Sequence, residues 1–132
     1  MEGCMTVELR VGERPKGLHR LWRATLNSRR GLLQCYQSEA AFRQEVWLAC
    51  VLVPAGFWLG QTAVERVLLI GSVLALLIVE LLNTGIEVVV DRISVERHPL
   101  SGFAKDVGSA AVLGALVLLF STWILILWDR LY

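Results

Sequence analysis

The sequence predicts an all-α membrane protein, with an N-terminal amphipathic surface helix followed by three transmembrane helices. Three observations predict it. Of the 132 residues, 55% are hydrophobic, and the mean hydropathy is +0.57. A soluble domain of this size rarely reaches that value, because it must cover its surface with polar side chains. Apolar stretches recur at about 46–60, 64–90 and 107–128, and a span needs about 20 residues to cross roughly 30 Å of hydrocarbon. The charges are segregated between these stretches, and only helices satisfy their own backbone inside lipid.

Taken in order, residues 1–16 mix Gly, Pro and charge without a period and are expected to form a flexible extension. The first 18 residues lack an apolar run, so no cleavable signal peptide is expected. Across about 17–45, Leu18, Leu21, Trp22 and Leu26 recur at i, i+3, i+4 and i+8, with Arg20, Arg23, Arg29 and Arg30 between them. That pattern suits a helix lying in the headgroup region, and Gly31 is a candidate break within it. The first span is short, contains Pro54 and depends on its flanking helix. Residues 61–66 leave room only for a turn before the second span, whereas 91–106 reads as a polar loop before the third. Gly108, Ser109, Ala110, Ala111, Gly114 and Ala115 open the third span with small side chains that permit close helix approach. Trp47, Trp58, Trp123 and Trp128 fall near span ends, where indole rings favour the membrane interface.

Eleven of the 13 Lys and Arg residues lie before the first span or between the second and third. Arg66 and Arg130 alone fall on the other side, so the N-terminus and the polar loop are expected in the cytoplasm. A net charge of +1 gives no footing for nucleic-acid binding. Cys4, Cys35 and Cys50 form no CxxC pair and no metal spacing, and read as reduced small hydrophobes.

The chemistry concentrates on the second span. Glu80, Asn83, Glu87 and Asp91 stand at i, i+3, i+7 and i+11, which puts four polar groups on one helical face. Glu80 has apolar neighbours on both sides, and an ionisable group in that setting is costly enough to be a functional candidate poised to accept a proton. A lone Glu there could equally pair across helices for assembly, but a four-member stripe fits that reading less well. A second cluster, EAAFRQE at 39–45, precedes the first span. Its Glu39 and Arg43 form an i, i+4 pair, which alone indicates only a stabilised helix. Glu96, Arg97, His98, Lys105 and Asp106 make a third cluster at the same membrane face. Carboxylates there suit Mg²⁺, and cations suit phosphate oxygens. No GxxxxGK[ST], GxGxxG, HRD or DFG is present, so no familiar soluble nucleotide fold is encoded.

The segments EAAFRQE at 39–45, VELLNTGIEVVVDR at 79–92 and SGFAKDVGSAAV at 101–112 closely resemble the prokaryotic diacylglycerol kinase family, small membrane enzymes unrelated to soluble kinases. The likeness runs from about Arg20 to Trp128. It implies a single membrane kinase domain over 17–132, a homotrimer with active sites shared between subunits, ATP as co-substrate and Mg²⁺ as cofactor. It implies transfer of the γ-phosphate to the primary hydroxyl of diacylglycerol at the bacterial inner membrane. By the same resemblance, Glu80 is the base and Asn83 supports it, while Glu39 and Glu87 hold metal. The nucleotide is contacted by Arg20, Glu39, Glu87, Glu96, His98, Lys105 and Asp106. The lipid is contacted by Arg20, Arg43, Glu80, Ser109 and Trp123. Pro99, beside His98, departs from the family's loop. Undecaprenol kinase, of the same family, is the nearest rival. A small proton-coupled transporter relaying through Glu80 is a rival of another class, although it does not explain why Glu39, Glu87, Lys105 and Asp106 gather at one face.

Overall fold

The computed structural model describes residues 17–93 and 98–131. The expected extension 1–16, and Glu96 and Arg97 of the polar loop, lie outside the described residues. Four helices account for nearly all of the rest, and no strand occurs among the described residues: α1 (Leu18–Ser38), α2 (Ala40–Leu59), α3 (Ala63–Ile93) and α4 (Pro99–Leu131). These residues fall into two compact units, one ending at Leu33 and the other beginning at Gln34.

In the first unit, α1 exposes Leu18, Leu21 and Trp22 on its own surface. Gly31 does not break it; the helix continues to Ser38. The break comes at Glu39, whose extended backbone (φ −101°, ψ 118°) ends one helix and caps the next. The expected surface helix through residue 45 is therefore two pieces, and EAAFRQE opens the α2 rod instead of closing the surface helix. Nor do Glu39 and Arg43 form the expected pair within one helix. Arg43 Nη1 donates to the carbonyls of Tyr36 (3.1 Å) and Gln37 (2.9 Å). The last carbonyls of a helix lack intrahelical partners and sit at the negative end of its dipole, so they accept readily from a cation.

In the second unit, α2, α3 and α4 pack as two successive antiparallel hairpins. The α2–α3 connection is tight. Thr62 Oγ1 accepts from the Glu65 N–H (3.1 Å), and Glu65 Oε2 accepts from the Gln61 N–H (2.9 Å), together capping the start of α3. Arg66 Nε donates to the Gly60 carbonyl (2.8 Å) and its guanidinium lies over the Phe57 ring. The loop expected over 91–106 is much shorter, because α3 runs to Ile93 and α4 starts at Pro99. Proline suits a first helical position, where its missing N–H costs nothing. His98 precedes it, and its Nδ1 accepts from the Leu100 N–H (3.2 Å).

The core is made of Ala49 from α2, Leu69, Val73 and Leu76 from α3, and Ala115, Leu119 and Trp123 from α4. Trp123 is buried there, with Nε1 donating to the Leu69 carbonyl at 3.2 Å. This corrects its expected place in an interfacial belt: an indole N–H that finds a carbonyl inside the protein needs no headgroup. Trp47, Trp58 and Trp128 are exposed.

Helices α3 and α4 are long and apolar enough to cross a membrane, and only 28% and 17% of their most apolar windows are buried. That separates them from the core helices of a soluble protein, which hide their apolar surface. Leu74, Ile78, Leu113, Val117 and Ile124 all face outward. Helix α2 is not among these candidate spans.

Candidate active site

The two hairpins fix which residues share a level. Gly56 lies against Leu69, and Gly60 against Arg66, so a step back along α2 meets a step forward along α3. Carried back to Glu45, this register reaches Glu80, and Glu39 stands just before the start of α2. The electrostatics agree. Glu45 feels the charge of Glu80, and Glu80 feels those of Glu87 and Glu39. On the other side, the Leu69–Trp123 and Asn83–Gly108 contacts set the α3–α4 register. It brings Lys105 to Asp91, with Nζ 2.6 Å from Oδ1.

The site thus has two layers at one end of the bundle. The inner layer holds Glu80, which is 6% exposed, and Glu45. Glu45 Oε2 is buried without a hydrogen-bond partner. Burial first, then the charge of Glu80, pushes the Glu45 carboxyl up to about 7. The outer layer holds Glu39, Glu87, Asp91 and Lys105. The hydrogen bond to Asp91 holds the Lys105 ammonium above the ordinary lysine range. Asn83 joins the layers: its Nδ2 donates to Glu87 Oε1 at 3.2 Å, while its Oδ1 is buried without a partner. Cys35, buried at the end of α1, donates from Sγ to Thr84 Oγ1 at 3.7 Å. Burial pushes its thiol up, which makes it a packing group rather than a nucleophile.

The stripe Glu80–Asn83–Glu87–Asp91 lies on one helix, with Glu39 at the cap of α2 within reach of its charges and Lys105 joining it from α4. Asp106 and Ser109 are exposed on the first turns of α4 beyond Lys105, and His98 is exposed at its start. Arg20 is exposed on the first turn of α1, in the other unit. Arg43 is committed to the end of α1. Trp123 is not brought to the site, since its partner Leu69 is eleven residues from Glu80, about 16 Å along α3. Sequence reasoning gave Glu45 no role of its own. Its position at the last polar step before an apolar run was the available signal.

Among the described residues, no three His, Cys, Asp or Glu side chains cage a metal by themselves. Mg²⁺ does not require such a cage; it binds one or two carboxylates, keeps waters and shares substrate phosphates. Glu39 and Glu87, hard oxygen donors whose charges both reach Glu80, fit that mode.

The fold and this site together define an all-helical membrane protein whose buried and half-buried carboxylates, with Lys105, collect at one end of its bundle. The family described as prokaryotic diacylglycerol kinase matches residues 26–127. The chain is 50% identical over 107 residues to the diacylglycerol kinase of Haemophilus influenzae, covering 81% of this chain and 91% of that protein. It is 49% identical to that of Escherichia coli K12 (86% and 93% covered), and 52% identical to that of Pseudomonas aeruginosa (84% and 90%). The chain belongs to the prokaryotic diacylglycerol kinase family.

Proposed function

We propose that this protein phosphorylates diacylglycerol at the cytoplasmic face of the bacterial inner membrane, consuming ATP and yielding phosphatidic acid and ADP. The observation that carries the reading is the convergence of buried Glu80 with Glu39, Glu87 and Lys105 at one end of the bundle. Glu80 takes the proton of the lipid's primary hydroxyl as that oxygen forms a bond to the γ-phosphorus. The bond from phosphorus to the β–γ bridging oxygen breaks, and ADP leaves with that electron pair. Phosphoryl transfer asks for positioning and charge neutralisation more than covalent chemistry. Lys105 is a point charge for phosphate oxygens, and on nucleotide binding it exchanges Asp91 for them. Glu39 and Glu87 would hold Mg²⁺, which neutralises charge on the phosphates when bound.

Helix α2 serves as the third span, with its polar first turns at the interface, and α1 lies on the membrane surface through Leu18, Leu21 and Trp22. His98, Asp106 and Ser109, exposed at the start of α4, border the nucleotide and the lipid. The N-terminus is cytoplasmic. The active unit is a homotrimer: Glu87 and Asp91 are only partly covered within one chain, and the adjoining α3 surface of Leu82, Ile86 and Val89 is exposed and apolar. The test is purified protein in mixed micelles with Mg-ATP labelled at the γ-phosphate, offered diacylglycerol and undecaprenol in parallel. Label in phosphatidic acid is expected. Label only in the polyprenol would change the acceptor, and silence with both would reject a lipid kinase.

A further inference from the structure

The α3–α4 contact contains one position where a side chain has no room. Gly108 is buried, and a Cβ added there would collide with the Oδ1 of Asn83. Gly71, Gly85 and Gly114 on the same two helices have open space where a Cβ would go, so the requirement is local. The group occupying the gap is a carboxamide with one end bound and the other end confined. Its Nδ2 reaches Glu87 Oε1, while its Oδ1 is buried against Gly108 with no hydrogen-bond donor. A carboxylate accepts only, so the amide must turn its NH₂ toward Glu87 and its oxygen toward α4. Leaving that oxygen unpaired is unfavourable, and the amide holds the position only because α4 supplies a surface without a Cβ.

We infer that Gly108 is a positioning residue for phosphoryl transfer, because the missing Cβ lets the Asn83 amide sit in the orientation that donates to Glu87. The inference rests on the kinase reading and deepens it. A methyl at 108 pushes Asn83 off its rotamer, and Glu87 loses the donor that fixes its carboxylate. Removing such a supporting hydrogen bond typically costs about 10–100-fold in metal affinity or activity.

The experiment uses the full chain in mixed micelles. Gly108→Ala is expected to lower kcat about 10–100-fold and raise the Mg²⁺ concentration for half-maximal rate, with the diacylglycerol KM unchanged. In an Asn83→Ser background, where the shorter side chain makes room, Gly108→Ala should change kcat by less than about twofold, as expected when one residue acts only through the other. The readout independent of turnover is the Asn83 side-chain amide in a nitrogen-15 spectrum, identified by its loss in Asn83→Ser. It should be protected from solvent exchange in the parent protein and lose that protection in Gly108→Ala. An unmoved amide, or a full further loss of kcat in the double variant, overturns the inference. If the parent transfers no phosphate to lipid, the kinase reading fails, and the amide measurement still decides whether Gly108 sets the Asn83 geometry.

Discussion

The α3–α4 hairpin is built differently at its two ends. Around Leu69, Val73, Leu119 and Trp123 the interface is largely apolar and closed, and its polar groups, the Trp123 indole N–H and the Ser72 hydroxyl, both donate to the Leu69 carbonyl. Around Glu80, Asn83 and Gly108 the same two helices enclose a buried carboxyl and an amide oxygen with no partner, with the unpartnered Glu45 oxygen facing them from α2. Buried polar groups are normally paired, and exceptions call for an explanation. One end is packed to hold the hairpin together. The other retains unused hydrogen-bonding capacity, as a surface that must receive a substrate does.

Substitutions can sharpen or break that contrast. The largest expected effect is on Glu80→Gln, which should lower phosphate transfer by about 10³-fold, roughly 4 kcal/mol of transition-state stabilisation, while the unfolding midpoint holds. Wild-type turnover in that variant would remove Glu80 from the chemistry. At the opposite end, Trp123→Ala should cost about 3–5 kcal/mol in denaturant unfolding. Trp123→Phe should cost only about 1 kcal/mol, the worth of the lost hydrogen bond. Both should keep the lipid KM in whatever fraction remains folded. A raised KM in the Phe variant would mean the two ends are not separate.

A smaller effect is pH-dependent. Glu45 is raised to about 7 in the folded protein, above its unfolded value, so its contribution is fully present below the unfolded value. It is lost as pH rises through the folded one. Melting between about pH 5 and pH 8 should show the midpoint falling by roughly 2–4 °C, and Glu45→Gln should flatten that slope. The smallest effect belongs to the far end, where Arg130 Nη2 meets Glu65 Oε2 at 2.9 Å. Arg130→Ala should cost no more than about 1 kcal/mol in stability and leave turnover alone. A marked loss of activity there would show that the two ends communicate.

Much of this was readable from spacing. Helical period alone puts Glu80, Asn83 and Glu87 on one face; of the small residues that open the third span, Gly108 and Ala115 are buried, whereas Ser109, Ala110, Ala111 and Gly114 are exposed. Element ends are not legible where charged residues continue a helix past its apolar stretch. Asp91, Lys105 and Asp106 are polar yet helical, because α3 and α4 extend past their apolar stretches. Glu39 reads as a helix interior, since its i, i+4 spacing to Arg43 does not announce an extended residue. Its break is set by Arg43 folding back onto the α1 carbonyls. Trp123 looked interfacial because distance from a span end is visible in a sequence, whereas the partner carbonyl 54 residues away is not. Glu45 is hidden for the same reason, as the Glu80 charge it feels lies on another helix.

The register between the hairpins makes this chemistry a matter of phase. One residue inserted between Leu76 and Glu80 would leave composition, hydropathy and every reactive side chain intact. It would also turn the stripe by about 100° and carry it about 1.5 Å along the axis, away from Glu45, Gly108 and Lys105 together. Such a chain could still insert and pack its closed end, with all its functional letters present and out of step.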